Sequence, residues 1–206
     1  MSYIDNYEID IFCSAIENER ILKRATYSLN FKNPTQDIQS IKDYLEKDVW
    51  MVDIPELDPA SIRKLTSIKL TLDGNESVLN SSDFNVLRIP ADPNHPDSTT
   101  YKHLIKVKLN ANVNTNYEKE ALIEITEERI TPSLDVNYVF RTAYPTKNYG
   151  LTYNLKNLNY KISGNLFGTM IKKRDYRIVS DDNSIYIRCN QWMLNGNGVV
   201  ITVTPS

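Results

Sequence analysis

Ile105-Lys106-Val107-Lys108-Leu109-Asn110-Ala111-Asn112-Val113 is the stretch whose reading decides the fold class. Every second residue is apolar, and each residue between carries a charge or an amide. That period of two belongs to a pleated strand with one dry face and one wet face. On the C-terminal side, Asn114-Thr115-Asn116 is turn chemistry. Ala121, Ile123 and Ile125 then alternate with Leu122, Glu124 and Thr126, which predicts a second strand closing a hairpin on the first.

The same period recurs in both directions. Upstream, Ile68, Leu70 and Leu72 alternate as far as Asp73-Gly74, a dipeptide suited to a two-residue hairpin loop. Phe84 to Ile89 reads as a strand ended by Pro90. The segment Ala91 to Asp97, with Pro93 and Pro96, reads as an exposed loop. Past Pro132 the alternating sets are Val136, Tyr138 and Phe140; Tyr149, Leu151, Tyr153 and Leu155; and Leu158, Tyr160 and Ile162. Tyr176–Val179 and Ser184–Cys189 flank Ser180-Asp181-Asp182-Asn183 as a hairpin, and Val199–Val203 follows Asn195-Gly196-Asn197-Gly198 as a last strand. Short strands with frequent turn signals and no strand–helix–strand rhythm predict an antiparallel sandwich or barrel and argue against a parallel sheet.

The first 67 residues read differently. Ile9, Phe12 and Ile16 stand at i, i+3 and i+7, with Ile11, Ala15, Leu22 and Ala25 beside them and charge elsewhere, so Tyr7–Tyr27 is expected to be a helix. Thr35 is placed to cap a second helix over Gln36–Lys47, and Asp58-Pro59 to open one or two helical turns up to Leu65. Trp50 is expected to dock this segment on the sheet. The expected fold class is therefore α+β. A helical segment over 1–67 precedes a mainly antiparallel β-sandwich or barrel-like domain over 68–206, subdivided near 132.

Composition limits the function classes. With 41% hydrophobic and 24% charged residues, the chain can bury a core and is not a disordered polymer. No apolar run is long enough for a membrane helix, and the N-terminus lacks the pattern of a secretory signal, so a soluble, cytoplasmic protein is expected. Two cysteines, Cys13 and Cys189, are too few for a disulfide scaffold and read as reduced. His95 and His103, near Asp92 and Asp97, fit no metal-ligand spacing, so neither a metal nor a cofactor is expected. No Gly-x-Ser-x-Gly, cysteine-protease signature or Walker loop occurs. Glu127-Glu128 would point to opposite faces of a strand, and Asp181-Asp182 reads as a turn.

Charge is uneven. From 133 to 206, nine Lys/Arg face four Asp/Glu, although the whole chain has a net charge of −2. Arg141, Tyr144, Lys147, Tyr149, Lys172, Lys173, Arg174 and Arg177 combine guanidinium forks, ammonium groups and phenol rings, the usual means of holding an anion or a planar group. The expectation is a non-enzymatic recognition or sensor module. It would bind an anionic small molecule or an acidic protein partner through this basic, Tyr-rich C-terminal surface. The acidic remainder argues against nucleic acid. The alternatives are a bacterial or phage assembly protein, including a homo-oligomer, and a hydrolase whose carboxylates come from separate strands. Trp192, between Gln191 and Met193, is expected to anchor the core.

Overall fold

The computed structural model describes residues 3–32, 50–52, 62–90, 103–134, 137–142, 144–168 and 175–206, with side chains left out at 50–52, 62–63, 86–90 and 103–106. The described residues form fourteen strands and no α-helix. Strands β1 (Tyr3–Ile16) and β2 (Arg20–Lys32) occupy the segment expected to be helical, which overturns the α+β expectation and its N-terminal helical segment. A sandwich-like arrangement of β-sheets remains. The remaining strands are β3 (Trp50–Val52), β4 (Ile62–Leu72), β5 (Asn75–Leu79), β6 (Phe84–Pro90), β7 (His103–Leu109), β8 (Glu120–Thr131), β9 (Asn137–Arg141), β10 (Thr146–Lys156), β11 (Tyr160–Phe167), β12 (Tyr176–Ser180), β13 (Ser184–Cys189) and β14 (Gly198–Pro205).

The helix reading failed for a physical reason. Residues 9–16 carry apolar side chains at both spacings, because Phe12 and Ile16 continue a helical stripe while Ile9, Ile11 and Cys13 continue a pleated one. Asn18 and Glu19 adopt left-handed backbone angles (φ 59° and 57°), and this turn folds β1 back on β2. β1 then gains β10 on its other side as a parallel neighbour, within a sheet whose other described pairings are antiparallel. Ile62–Leu65 belongs to β4, not to a helical turn. The predicted helix over 36–47, the loop over 91–97 and the Trp50 side chain lie outside the described residues.

Eight strands form one sheet in the order β12-β13-β10-β1-β2-β8-β4-β5, antiparallel except for β1 with β10. Partners in register share a face. One row across this sheet reads Tyr176, Cys189, Tyr149, Tyr7, Leu29, Ile123 and Leu70. The next row reads Arg177, Arg188, Gly150, Glu8, Ser28, Glu124 and Lys69. The first row is the inner face and the second the outer. The bulges beside Asp5 and Thr66 shift parity, so that Ile4 and Leu65 also join the inner face.

Two three-stranded sheets cover the inner face. The order β11-β14-β9 packs on the β13-β10-β1 side through Ile162, Val199, Ile201 and Val203. The order β3-β7-β6 packs on the β2-β8-β4 side through Val107 and Leu109. The strand expected over 105–113 exists only as far as Leu109, with a turn over 110–113, and β7 pairs with β6 and β3, so the expected hairpin with β8 does not form. Tyr7 and Tyr27 touch both cores. Asp73-Gly74 turns β4 into β5 as expected, and residues 181–183 turn β12 into β13. Cys13 and Cys189 are free and buried. Burial pushes both thiols above the ordinary value, with the Tyr153 hydroxyl 3.6 Å from Cys13 Sγ partly offsetting it there.

Candidate functional site

The ends of β9, β11 and β13 and the starts of β10, β12 and β14 lie at one end of the molecule, beside the start of β1. The β13–β14 connection, residues 190–197, is held tightly by the backbone there. Met193 exchanges both backbone hydrogen bonds with Thr146 (2.7 and 2.9 Å). Gly196 N–H donates to Thr142 O (2.9 Å), and Thr142 N–H donates to Asn197 O (2.9 Å). The buried Thr142 hydroxyl donates to Leu194 O (2.8 Å).

This anchoring decides which side chains point in. Met193 is fully buried, whereas Trp192 is 50% exposed and Leu194 48% exposed. The core anchor is Met193, and the expectation for Trp192 is overturned. Trp192 meets the edge of Tyr3 at a ring separation of 5.2 Å. A rigid loop thus presents an indole and an isobutyl group to solvent, and an exposed aromatic fixed in place loses little side-chain entropy when covered. Trp192 was open to misreading because its neighbours Met193 and Leu194 make an apolar run. The flanking Asn190, Gln191, Asn195, Gly196 and Asn197 were the signal of a surface loop.

The residues singled out from the sequence divide around this end. Lys147 is half exposed, 3.6 Å from Asp5, and Lys32 shares that carboxylate at 3.4 Å. Arg141, exposed at the end of β9, lies 5.9 Å from the Phe167 ring. Tyr144 packs its edge on Phe31 and is half-buried. Arg177 is exposed on edge strand β12, in register with Arg188. Tyr149 is not a surface residue: it is wholly buried against Tyr7, and burial holds its phenol well above the usual range. Lys172, Lys173 and Arg174 lie outside the described residues.

The outer face of the large sheet carries a second feature. Arg188 pairs with Glu8 across the strand between them, and Arg24 donates from Nε to Glu128 at 2.9 Å. Beyond these pairs, Phe12 and Tyr186 remain 38% and 40% exposed on a face that also carries the exposed Val78 and Val179 among Thr, Asn, Ser and charged groups. Phe12 opens onto a cleft of about 480 Å³ formed with Asn154, Lys156, Asn157, Asp181, Asn183 and Ser184. The helical reading had assigned Phe12 to a buried stripe and so missed it. A second cleft of about 550 Å³ surrounds Asp73 and Glu118–Glu120, where the Asp73 carboxylate is already taken by three backbone N–H groups. Among the described residues no group of three or more His, Cys, Asp or Glu side chains is placed to hold a metal ion.

No protein-family model matches the chain, and no curated protein does. Solved structures do. A crystal structure from Parabacteroides distasonis, named a "putative protease", matches with a TM-score of 0.53 and 13% identity, over 98% of this chain and 40% of the other. The likeness is one of fold. A Legionella pneumophila structure, named a "putative nutrient binding protein", reaches a TM-score of 0.38 at 8% identity, over 97% of this chain and 66% of that one. The chain spans two fifths of the length of the Parabacteroides protein.

Proposed function

We propose that this chain is a non-enzymatic recognition module that holds an acidic protein partner at the Trp192 end of the molecule. The observation that carries the reading is the pair of half-exposed apolar side chains, Trp192 and Leu194, on a loop locked by Thr142 and Thr146. Large apolar groups are not held rigidly in water without cost, and an aromatic anchor with a polar rim is the usual make-up of an interface hot spot. Lys147 and Arg141, chain neighbours of the Thr146 and Thr142 that hold the loop, supply a cationic rim. Lys147 is partly neutralised by Asp5, so the rim steers an acidic partner more than it binds one.

The assembly alternative has less support. Both edges of the large sheet, β12 and β5, are only five residues long, which limits pairing with a second chain. The hydrolase alternative would need carboxylates facing one another, and the best-buried one, Glu127, accepts the Tyr27 hydroxyl at 3.1 Å inside the core.

The test is affinity capture from an extract of the native source with the wild-type chain, Trp192→Ala and Leu194→Ser in parallel. A partner retained by the wild type, weakened by salt and lost with both variants is the expected outcome. Equal retention by all three proteins removes this reading.

A further inference from the structure

The geometry points to a saccharide-binding cleft on the outer face of the large sheet, built by Phe12, Asn154, Asn157, Asn183 and Lys156. It is independent of the Trp192 loop. The nine residue steps along β1 from Tyr3 to Phe12 set the two sites about 30 Å apart.

The cleft is a built feature. Phe12 of β1, Asn154 of β10 and Ser184 of β13 are consecutive register partners, so three adjacent strands put them in one row on one face. Two turns close the cleft. Leu155 N–H donates to Asn183 O at 2.7 Å, which staples the end of β10 to the β12–β13 turn. Asn157 adopts a left-handed φ of 56° at the end of β10, a conformation that asparagine accepts better than most residues.

The chemistry of the lining selects the ligand class. Asp181 is fully engaged in its turn. Its Oδ1 accepts the N–H groups of Asn183 (2.9 Å) and Ser184 (2.6 Å), and its Oδ2 accepts the Ser184 hydroxyl (2.9 Å). Those bonds hold its carboxyl below the usual range, so it stays charged and balances Lys156. The cleft is then close to neutral. Among the described residues no side-chain hydrogen bond or ion pair engages Asn154, Asn157, Asn183 or Lys156, so their donors and acceptors face outward. A half-exposed phenyl ring beside several unengaged amides suits a ligand with an apolar C–H face and a rim of hydroxyl groups, which is what a pyranose offers. An anion would want an excess of cations, and a wholly apolar ligand would leave the amides unpaired. Tyr186, two residues along from Ser184 on the same face, extends the aromatic platform for a chain longer than one sugar.

The experiment uses the full chain labelled with ¹⁵N. It is titrated with a panel of neutral hexasaccharides built of glucose, mannose, xylose or N-acetylglucosamine units, and separately with ATP. The expected result is saturable shifts at the Phe12, Asn154 and Asn183 amides with at least one saccharide. Phe12→Ala should weaken that binding about tenfold. Phe12→Trp should keep it, and Trp192→Ala should leave it unchanged. Thermal melts of each variant confirm that it is folded. The proposal is overturned by a panel that produces no saturable shift, by binding that Phe12→Ala leaves intact, or by ATP shifting these amides while the saccharides do not. None of these outcomes bears on the Trp192 loop.

Discussion

Asp73 shows how much a single side chain does in this protein. It sits at the first position of the β4–β5 turn with φ 47°, and its carboxylate accepts the N–H groups of Glu118, Lys119 and Glu120 at 2.7–3.0 Å. One residue thus closes a hairpin and ties it to the start of β8. The bonds from Glu118, Glu120 and Lys119 hold its pKa below the ordinary carboxylate value. Its folded-state pKa lies below that of the unfolded chain, at about 3.9, so its contribution is complete above that pH and disappears as pH falls through the folded value. Asp73→Asn is expected to lower the urea midpoint at pH 7, with the gap to the wild type narrowing as the pH is lowered; a gap that does not change with pH would contradict this. The Asp-Gly signal was legible in the sequence. The three donors were not, because they come from a segment more than forty residues away.

At the level of strands, Gly150 explains an ion pair. It lies in β10 between Glu8 of β1 and Arg188 of β13, and a Cβ there would fall on the Glu8 carboxylate with the Arg188 guanidinium 3.1 Å off. The missing side chain leaves a channel through which two residues that are not on adjacent strands meet above a third. A double-mutant cycle on Glu8 and Arg188 should give about 0.5–1 kcal/mol of coupling, as for a partly exposed pair. The same cycle in a Gly150→Ala background should give close to zero, and coupling unchanged there would refute the channel. β1 itself is the element that the sequence concealed. Its local pattern satisfies two periods at once, and the choice between them rests on the ladders formed with β2 and β10 rather than on its own residues.

Across the whole molecule, one sheet underlies two cores. β1 and β2 run through both: Ile4, Leu29 and Phe31 serve one cluster, and Ile9, Ile11, Ile21 and Ala25 the other. Tyr7 and Tyr27 pack against both clusters, and the second also takes in a cation. Lys23, nearly buried, sets its ammonium 3.9 Å from the Tyr138 ring of the facing sheet, an arrangement that stabilises by about 2 kcal/mol when desolvated. Shared strands should couple the two halves. Leu151→Ala, deep in one cluster, is expected to cost about 2–5 kcal/mol and to speed amide exchange in β4 and β8 along with β10 and β13. Exchange that quickens in β10 and β13 alone would show two independently unfolding halves.

By itself, the sequence determined that much of this chain would pleat. Alternation at 68–72, 105–109, 121–126, 149–155, 185–189 and 199–203 leaves one face dry, and the turn dipeptides mark where several strands reverse. Only the tertiary structure decided that residues 3–32 form the centre of the sheet, that β7 turns away from β8, that Tyr149 is interior and that Trp192 and Phe12 are not. The physical reason is common to all four. Periodicity is a property of neighbours along the chain, whereas strand partners and burial are settled by residues as far apart as Glu8 and Arg188, and no local pattern says which strand will lie beside which.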